Sequence, residues 1–161
     1  GRIAPAYPDW TLEIYGDGSL RSDLEKQVNR LGLSSSVTLA KPTLQMKEVY
    51  QSASIYAMTS RYEGLPMVLI EAQHMGLPIV SFACPCGPKD VLHPGEDGYL
   101  ISPGDDDGFL TALRQLMDSE AERIRMGANA RKASARYEVD AVMGQWLDLF
   151  SSLVPNNSSA V

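Results

Sequence analysis

Residues 61–90, RYEGLPMVLIEAQHMGLPIVSFACPCGPKD, fix one helix at both of its ends. Pro66 suits a first helical position, Met67 to Met75 contains no Gly or Pro, Gly76 suits the stop, and Pro78 forbids continuation. Short apolar runs flank this helix, SIYAMT at 54–59 and LPIVSF at 77–82. Two such runs joined by a helix read as a strand, helix, strand unit, which implies a parallel pair with a right-handed crossover. Ligands of such sheets bind outside the carboxyl ends of the strands. The loop before the helix and the ACPCGP loop after Phe82 therefore open toward one crevice. Glu63 lies on the first loop and Glu71 within the helix, eight residues further on.

The rest of the chain repeats this alternation. TLEIYGDGS at 11–19 reads as a strand with Leu12 and Ile14 on one side, ended by Gly16-Asp17-Gly18. Glycines there let a ligand or a neighbouring backbone come close, and a plain strand-to-helix turn explains them equally well. Ser19 to Leu31 is predicted to be a helix, capped by Ser19, stopped by Gly32 and packing through Leu20, Leu24, Val28 and Leu31. SVTLA at 36–40 is the next strand, and Leu44 to Ser52 a short helix turning Met46, Val49 and Tyr50 inward. After the central unit come a helical turn, an edge strand at 99–101, and helices over 108–117, 121–136 and 138–153. Residues 1–10 look like a helix end, and the tail PNNSSAV is expected to be disordered. Five strands alternating with helices give an α/β class, an open parallel Rossmann-like sheet with helices on both faces.

Size and composition narrow the function. The 161 residues, 44% apolar, suit one domain with a real core. Net charge is −6 and the basic residues are scattered, which argues against a nucleic-acid partner and against a polybasic membrane patch in this stretch. Neither a long apolar span nor a signal peptide is seen, so a cytoplasmic location is expected. Cys84 and Cys86 are too close to bridge easily, and with His74 or His93 they match no zinc spacing. Asp105-Asp106-Asp107 contains a D-x-D pattern of a kind that can hold a divalent cation. Here it opens a helix, where acids cap and offset the dipole, so no metal site is expected.

The pattern S-R-x-E-G-L-P-x-x-x-x-E-A-x-x-x-G-x-P-x-V from Ser60 to Val80 resembles the E-x7-E signature of retaining glycosyltransferases of the GT-B fold, family 4. Cys86-Gly87-Pro88-Lys89-Asp90 and Pro94-Gly95-Glu96-Asp97-Gly98-Tyr99-Leu100-Ile101 are similar to that group's next two landmarks, and the similarity runs from about Pro8 to about Phe150. The resemblance implies the C-terminal, nucleotide-sugar-binding half of a GT-B enzyme over residues 1–153, truncated at its N-terminal edge, with the acceptor domain absent. Glu71 would then hold the donor ribose, and Glu63 would face the donor sugar as the catalytic carboxylate. Gly64, Leu65, Pro66 and Met67 would seat the diphosphate at the helix start, with Gly16 nearby. Lys41 and Pro42 would border the base, and Cys86 and Gly87 the sugar pocket. By the same resemblance, the reaction would need no metal or cofactor besides the nucleotide-sugar donor.

The same resemblance places an Arg and a Lys on a loop before this stretch. Neither has a counterpart here, because Arg2 precedes a helix-end pattern. The isolated chain is therefore expected to lack turnover, and the absent acceptor domain to pack on the last helix, whose apolar face is wider than one sheet needs. Membrane association, at the inner face, would come only through absent parts. Transfer to a polysaccharide or lipid-linked acceptor is the first reading. A non-catalytic nucleotide- or protein-binding α/β module and a nucleotide-sugar epimerase half stand as alternatives.

Overall fold

The computed structural model describes residues 1–153, so the tail expectation at 154–161 lies outside the described residues. The strands are β1 (Leu12–Tyr15), β2 (Val37–Ala40), β3 (Tyr56–Met58), β4 (Ile79–Phe82) and β5 (Gly98–Ile101). The helices are α1 (Arg21–Arg30), α2 (Met46–Ser52), α3 (Met67–His74), α4 (Pro88–Val91), α5 (Asp106–Asp118), α6 (Glu120–Ser134) and α7 (Val139–Leu153). Every strand pair is parallel, as the alternation requires. The five strands do not form one ladder: β1 pairs with β2, while β3, β4 and β5 form a second sheet in that order. The N-terminal segment is only a 3-10 turn over Ala4–Ala6, because Pro5 and Pro8 leave no room for a longer helix.

Two compact units result, Gly1–Glu48 and a second that begins at Val49. In the first unit no residue is fully buried. Leu20 is 67% exposed and Leu31 50%, so the apolar stripe of α1 is not the packing face its spacing predicts. A two-stranded sheet with one helix offers too little area to cover it. Ser19 does not cap α1 either; Leu20 takes the cap position without a side-chain bond. Arg21 instead ties this unit together, donating to the carbonyls of Leu39 at 2.6 Å and Gly16 at 3.2 Å, at the carboxyl ends of β2 and β1.

The second unit holds the core. β4 is central, with Ile79, Val80 and Ser81 all fully buried. Val80 packs with Phe109, Ala112, Leu116 and Met126 of α5 and α6. Leu69 and Ala72 of α3 are also fully buried, and α6 approaches the turn after α3 closely. A Cβ at Gly127 would lie 2.2 Å from the Gly76 carbonyl, so only glycine admits that approach in mid-helix. The predicted acid cap holds: the Asp105 side chain accepts from the Gly108 N–H at 2.8 Å, and Ser119, for which no cap was expected, accepts from the Glu122 N–H at 3.2 Å. The apolar face of α7 is exposed, with Leu147 at 62% and Phe150 at 56%, and Trp146 stacks on Phe150 at 5.6 Å. No helix among the described residues is long and apolar enough to cross a membrane.

Candidate functional site

Strand β3 feeds a loop that reaches α3 at Pro66. Pro66 is the residue just before the helix, with ψ 86°, and Met67 is the first helical position, one residue later than its ring chemistry predicts. This changes which donors are open. The Met67 N–H is already bonded to the Leu65 carbonyl at 2.9 Å, and Leu69 to Pro66 at 2.9 Å. Of the three predicted phosphate donors, Gly64 and Leu65 keep N–H groups with no partner among the described residues, and Met67 does not. Gly76, at φ +76°, stops the helix as expected.

The second loop closes directly on the first. A Cβ at Gly87 would lie 2.5 Å from Pro66 Cδ and 2.6 Å from the Gly64 carbonyl oxygen, so the ACPCGP corner is seated on the EGLP turn. Gly87 takes φ +83° and Cys86 φ +64°, both in the left-handed region. Asp90 fixes this corner by accepting from the Gly87 N–H at 3.1 Å while its own N–H donates to the Gly87 carbonyl at 2.9 Å. Cys84 is buried, Cys86 exposed, and both are free thiols. Among the described residues no group of three or more His, Cys, Asp or Glu could hold a metal ion.

Both carboxylates act on one phenol. Tyr56, at the start of β3, is pushed up to about 12, first by burial, then by the charge of Glu71, then by that of Glu63. Glu63 is half-buried and also raises the Cys84 thiol, secondary to burial there. Glu71 is exposed on α3 and accepts a 3.0 Å hydrogen bond from the Tyr50 hydroxyl. The Tyr50 phenol is raised by burial first and by that bond second, and its ring leans on Tyr56 with centroids 5.9 Å apart. The charges of both acids are thus felt at Tyr56, and the Gly64–Pro66 and Cys86–Gly87 turns adjoin each other.

Gly16, Lys41 and Pro42 belong to the first unit, at the carboxyl ends of β1 and β2. Lys41 and Pro42 are exposed, and the Gly16 carbonyl is occupied by Arg21.

A buried polar group beneath the site has no counterpart in the sequence reading. Gln73, fully buried on the face of α3 opposite Glu71, donates to the Val91 carbonyl and to Asp97 Oδ2, each at 3.0 Å. Asp97 also accepts from the His93 N–H at 2.8 Å and faces His93 Nδ1 at 3.1 Å. From the 3-10 turn Ala135–Tyr137, Arg136 donates to the carbonyls of Asp90 and Val91 at 3.0 and 2.8 Å, closing the end of α4. These bonds fix the end of α4, whose Asp90 in turn accepts from the Gly87 N–H.

The sequence profile described as "Glycosyl transferases group 1" matches residues 2–133. An amylovoran biosynthesis glycosyltransferase of Erwinia amylovora is 36% identical over 142 residues, 88% of this chain and 40% of that protein. An exopolysaccharide phosphotransferase of Streptomyces coelicolor is 37% identical over 154 residues, 95% of this chain and 16% of that protein. Among solved structures, a mutant of S. aureus TarM in complex with fondaparinux, alpha-GlcNAc-glycerol and UDP superposes with a TM-score of 0.85 at 26% identity. It covers 92% of this chain and 30% of that one. The apo lipopolysaccharide outer core galactosyltransferase WaaB gives 0.79 at 27% identity, covering 90% and 41%. The chain thus spans at most 41% of the length of these four proteins.

Proposed function

We propose, from the premise that this chain belongs to the glycosyl transferases group 1 family, that it is the C-terminal, donor-binding half of a GT-B enzyme. That enzyme transfers a sugar from a nucleotide donor to a polysaccharide or lipid-linked acceptor with retention of configuration. The observation that carries the reading is the seating of the Cys86–Gly87 corner on the Gly64–Pro66 turn, with Glu71 bonded to Tyr50 and the charges of both Glu63 and Glu71 felt at Tyr56. UDP in the similar TarM structure fits a nucleotide donor.

A nucleotide sugar presents a diol, a diphosphate and a sugar ring. Carboxylates serve diols well, since two vicinal hydroxyls donate to one charged group, each bond contributing roughly 1.5–3 kcal/mol. Exposed Glu71 takes the ribose in this reading. The unpartnered N–H groups of Gly64 and Leu65, with the positive end of α3, receive diphosphate oxygens. Stabilising the charge that develops on the departing diphosphate is the main electrostatic task, and these dipoles do it without a metal. Half-buried Glu63 faces the donor sugar, with Cys86 and Gly87 lining that pocket. The exposed face of α7 is where the acceptor-binding half packs.

Titration calorimetry with nucleoside diphosphates tests the reading. Glu71→Ala should weaken binding by about 2–4 kcal/mol, less than the sum of two charge-assisted bonds because Glu71 is exposed and its charge is partly screened. Unchanged affinity would remove the ribose assignment.

A further inference from the structure

We propose that Tyr50 is a positioning residue for donor binding: its hydroxyl, 3.0 Å from Glu71 Oε2, holds that carboxylate in one rotamer and leaves Oε1 to receive the ribose diol. The inference rests on the donor-binding reading and goes beyond it by assigning a residue outside the E-x7-E segment.

Glu71 is exposed on the surface of an eight-residue helix, where its side-chain torsions are otherwise unconstrained. A free carboxylate there would lose rotamer entropy each time a ligand ordered it. Tyr50 removes that cost in advance. Its ring is 5% exposed and tilted against Tyr56, so the position of its hydroxyl is set by packing before any ligand arrives. The chemistry of the donor matters equally. A phenol is neutral, and burial together with the Glu71 bond keeps it protonated well above neutral pH. It orients the carboxylate without cancelling the charge that two ribose hydroxyls need. A lysine or arginine in its place would compete for that charge, and no ion pair to Glu71 exists among the described residues.

The test is a cycle of variants against ligands, by calorimetry on this chain. Wild type, Tyr50→Phe and Glu71→Ala are titrated with uridine, guanosine and adenosine diphosphate, and with the 2′,3′-dideoxy analogue of whichever binds tightest. Tyr50→Phe keeps the ring and removes only the hydroxyl. It should weaken the ribonucleotide about tenfold and the dideoxy analogue less than about twofold, because only the former meets Glu71. A general loosening of the fold would weaken both ligands alike, and that result overturns the proposal. If Glu71→Ala weakens the ribonucleotide while Tyr50→Phe does not, the positioning role is refuted and the donor-binding reading stands. If Glu71→Ala is silent, or no diphosphate binds the wild-type chain, the donor-binding reading fails and this inference with it.

Discussion

The two glutamates differ in setting, and their chemistry should differ accordingly. Glu63 is half-buried and its charge helps raise Cys84 and Tyr56, whereas Glu71 is exposed and bonded to a phenol. A residue that meets the reacting sugar stabilises the transition state more than the bound donor. With the acceptor half present, Glu63→Ala should therefore lower kcat by more than tenfold and change donor affinity by less than about threefold. Steady-state kinetics beside calorimetry would separate the two effects, and a purely affinity-based loss would make Glu63 a ground-state anchor. The phenols make a second prediction. Tyr56 titrates near 12 when folded against 10.0 as its ordinary value, and Tyr50 is raised as well, so the folded chain keeps protons that the unfolded chain releases. Stability from this source is complete below pH 10 and is lost as pH rises through about 12. Urea midpoints should fall over that window, and Tyr56→Phe should flatten the fall.

Among the elements, α3 shows what local sequence can specify. Gly76 and Pro78 mark its end unambiguously, because a left-handed glycine and a ring without an N–H leave few alternatives. Its start is displaced by one residue, since Pro66 takes ψ 86° outside the helix, and that small shift commits the Met67 N–H. The Asp105 cap was legible for the same local reason. The Tyr50–Glu71 and Gln73–Asp97 bonds span 21 and 24 residues, and no periodic pattern announces such pairs. The stripe on α1 illustrates another limit: spacing states which residues share a face, not whether anything covers it. The contact between the two loops is the most exacting feature at this scale. Gly87→Ala would place a methyl group 2.5 Å from Pro66 Cδ at φ +83°. The substitution should cost about 2–4 kcal/mol in urea denaturation.

For the whole molecule, burial is distributed unevenly. None of the first 49 residues is fully buried, while β4 in the second unit is closed to solvent over Ile79, Val80 and Ser81. Opening energies should follow that contrast. Amides of β1 and β2 should exchange with deuterium at least about a hundredfold faster than those of β4, a comparison that native-state exchange reads directly. Equal protection across both sheets would contradict it. The 3-10 turn ending at Tyr137 has a consequence of its own. Arg136 is bonded to the carbonyls of Asp90 and Val91, and the backbone then straightens at Glu138 before the last helix begins. The last helix is thus hinged at Glu138 next to an anchor that is fastened to the end of α4, so a load on α7 is felt first at Asp90 and Val91.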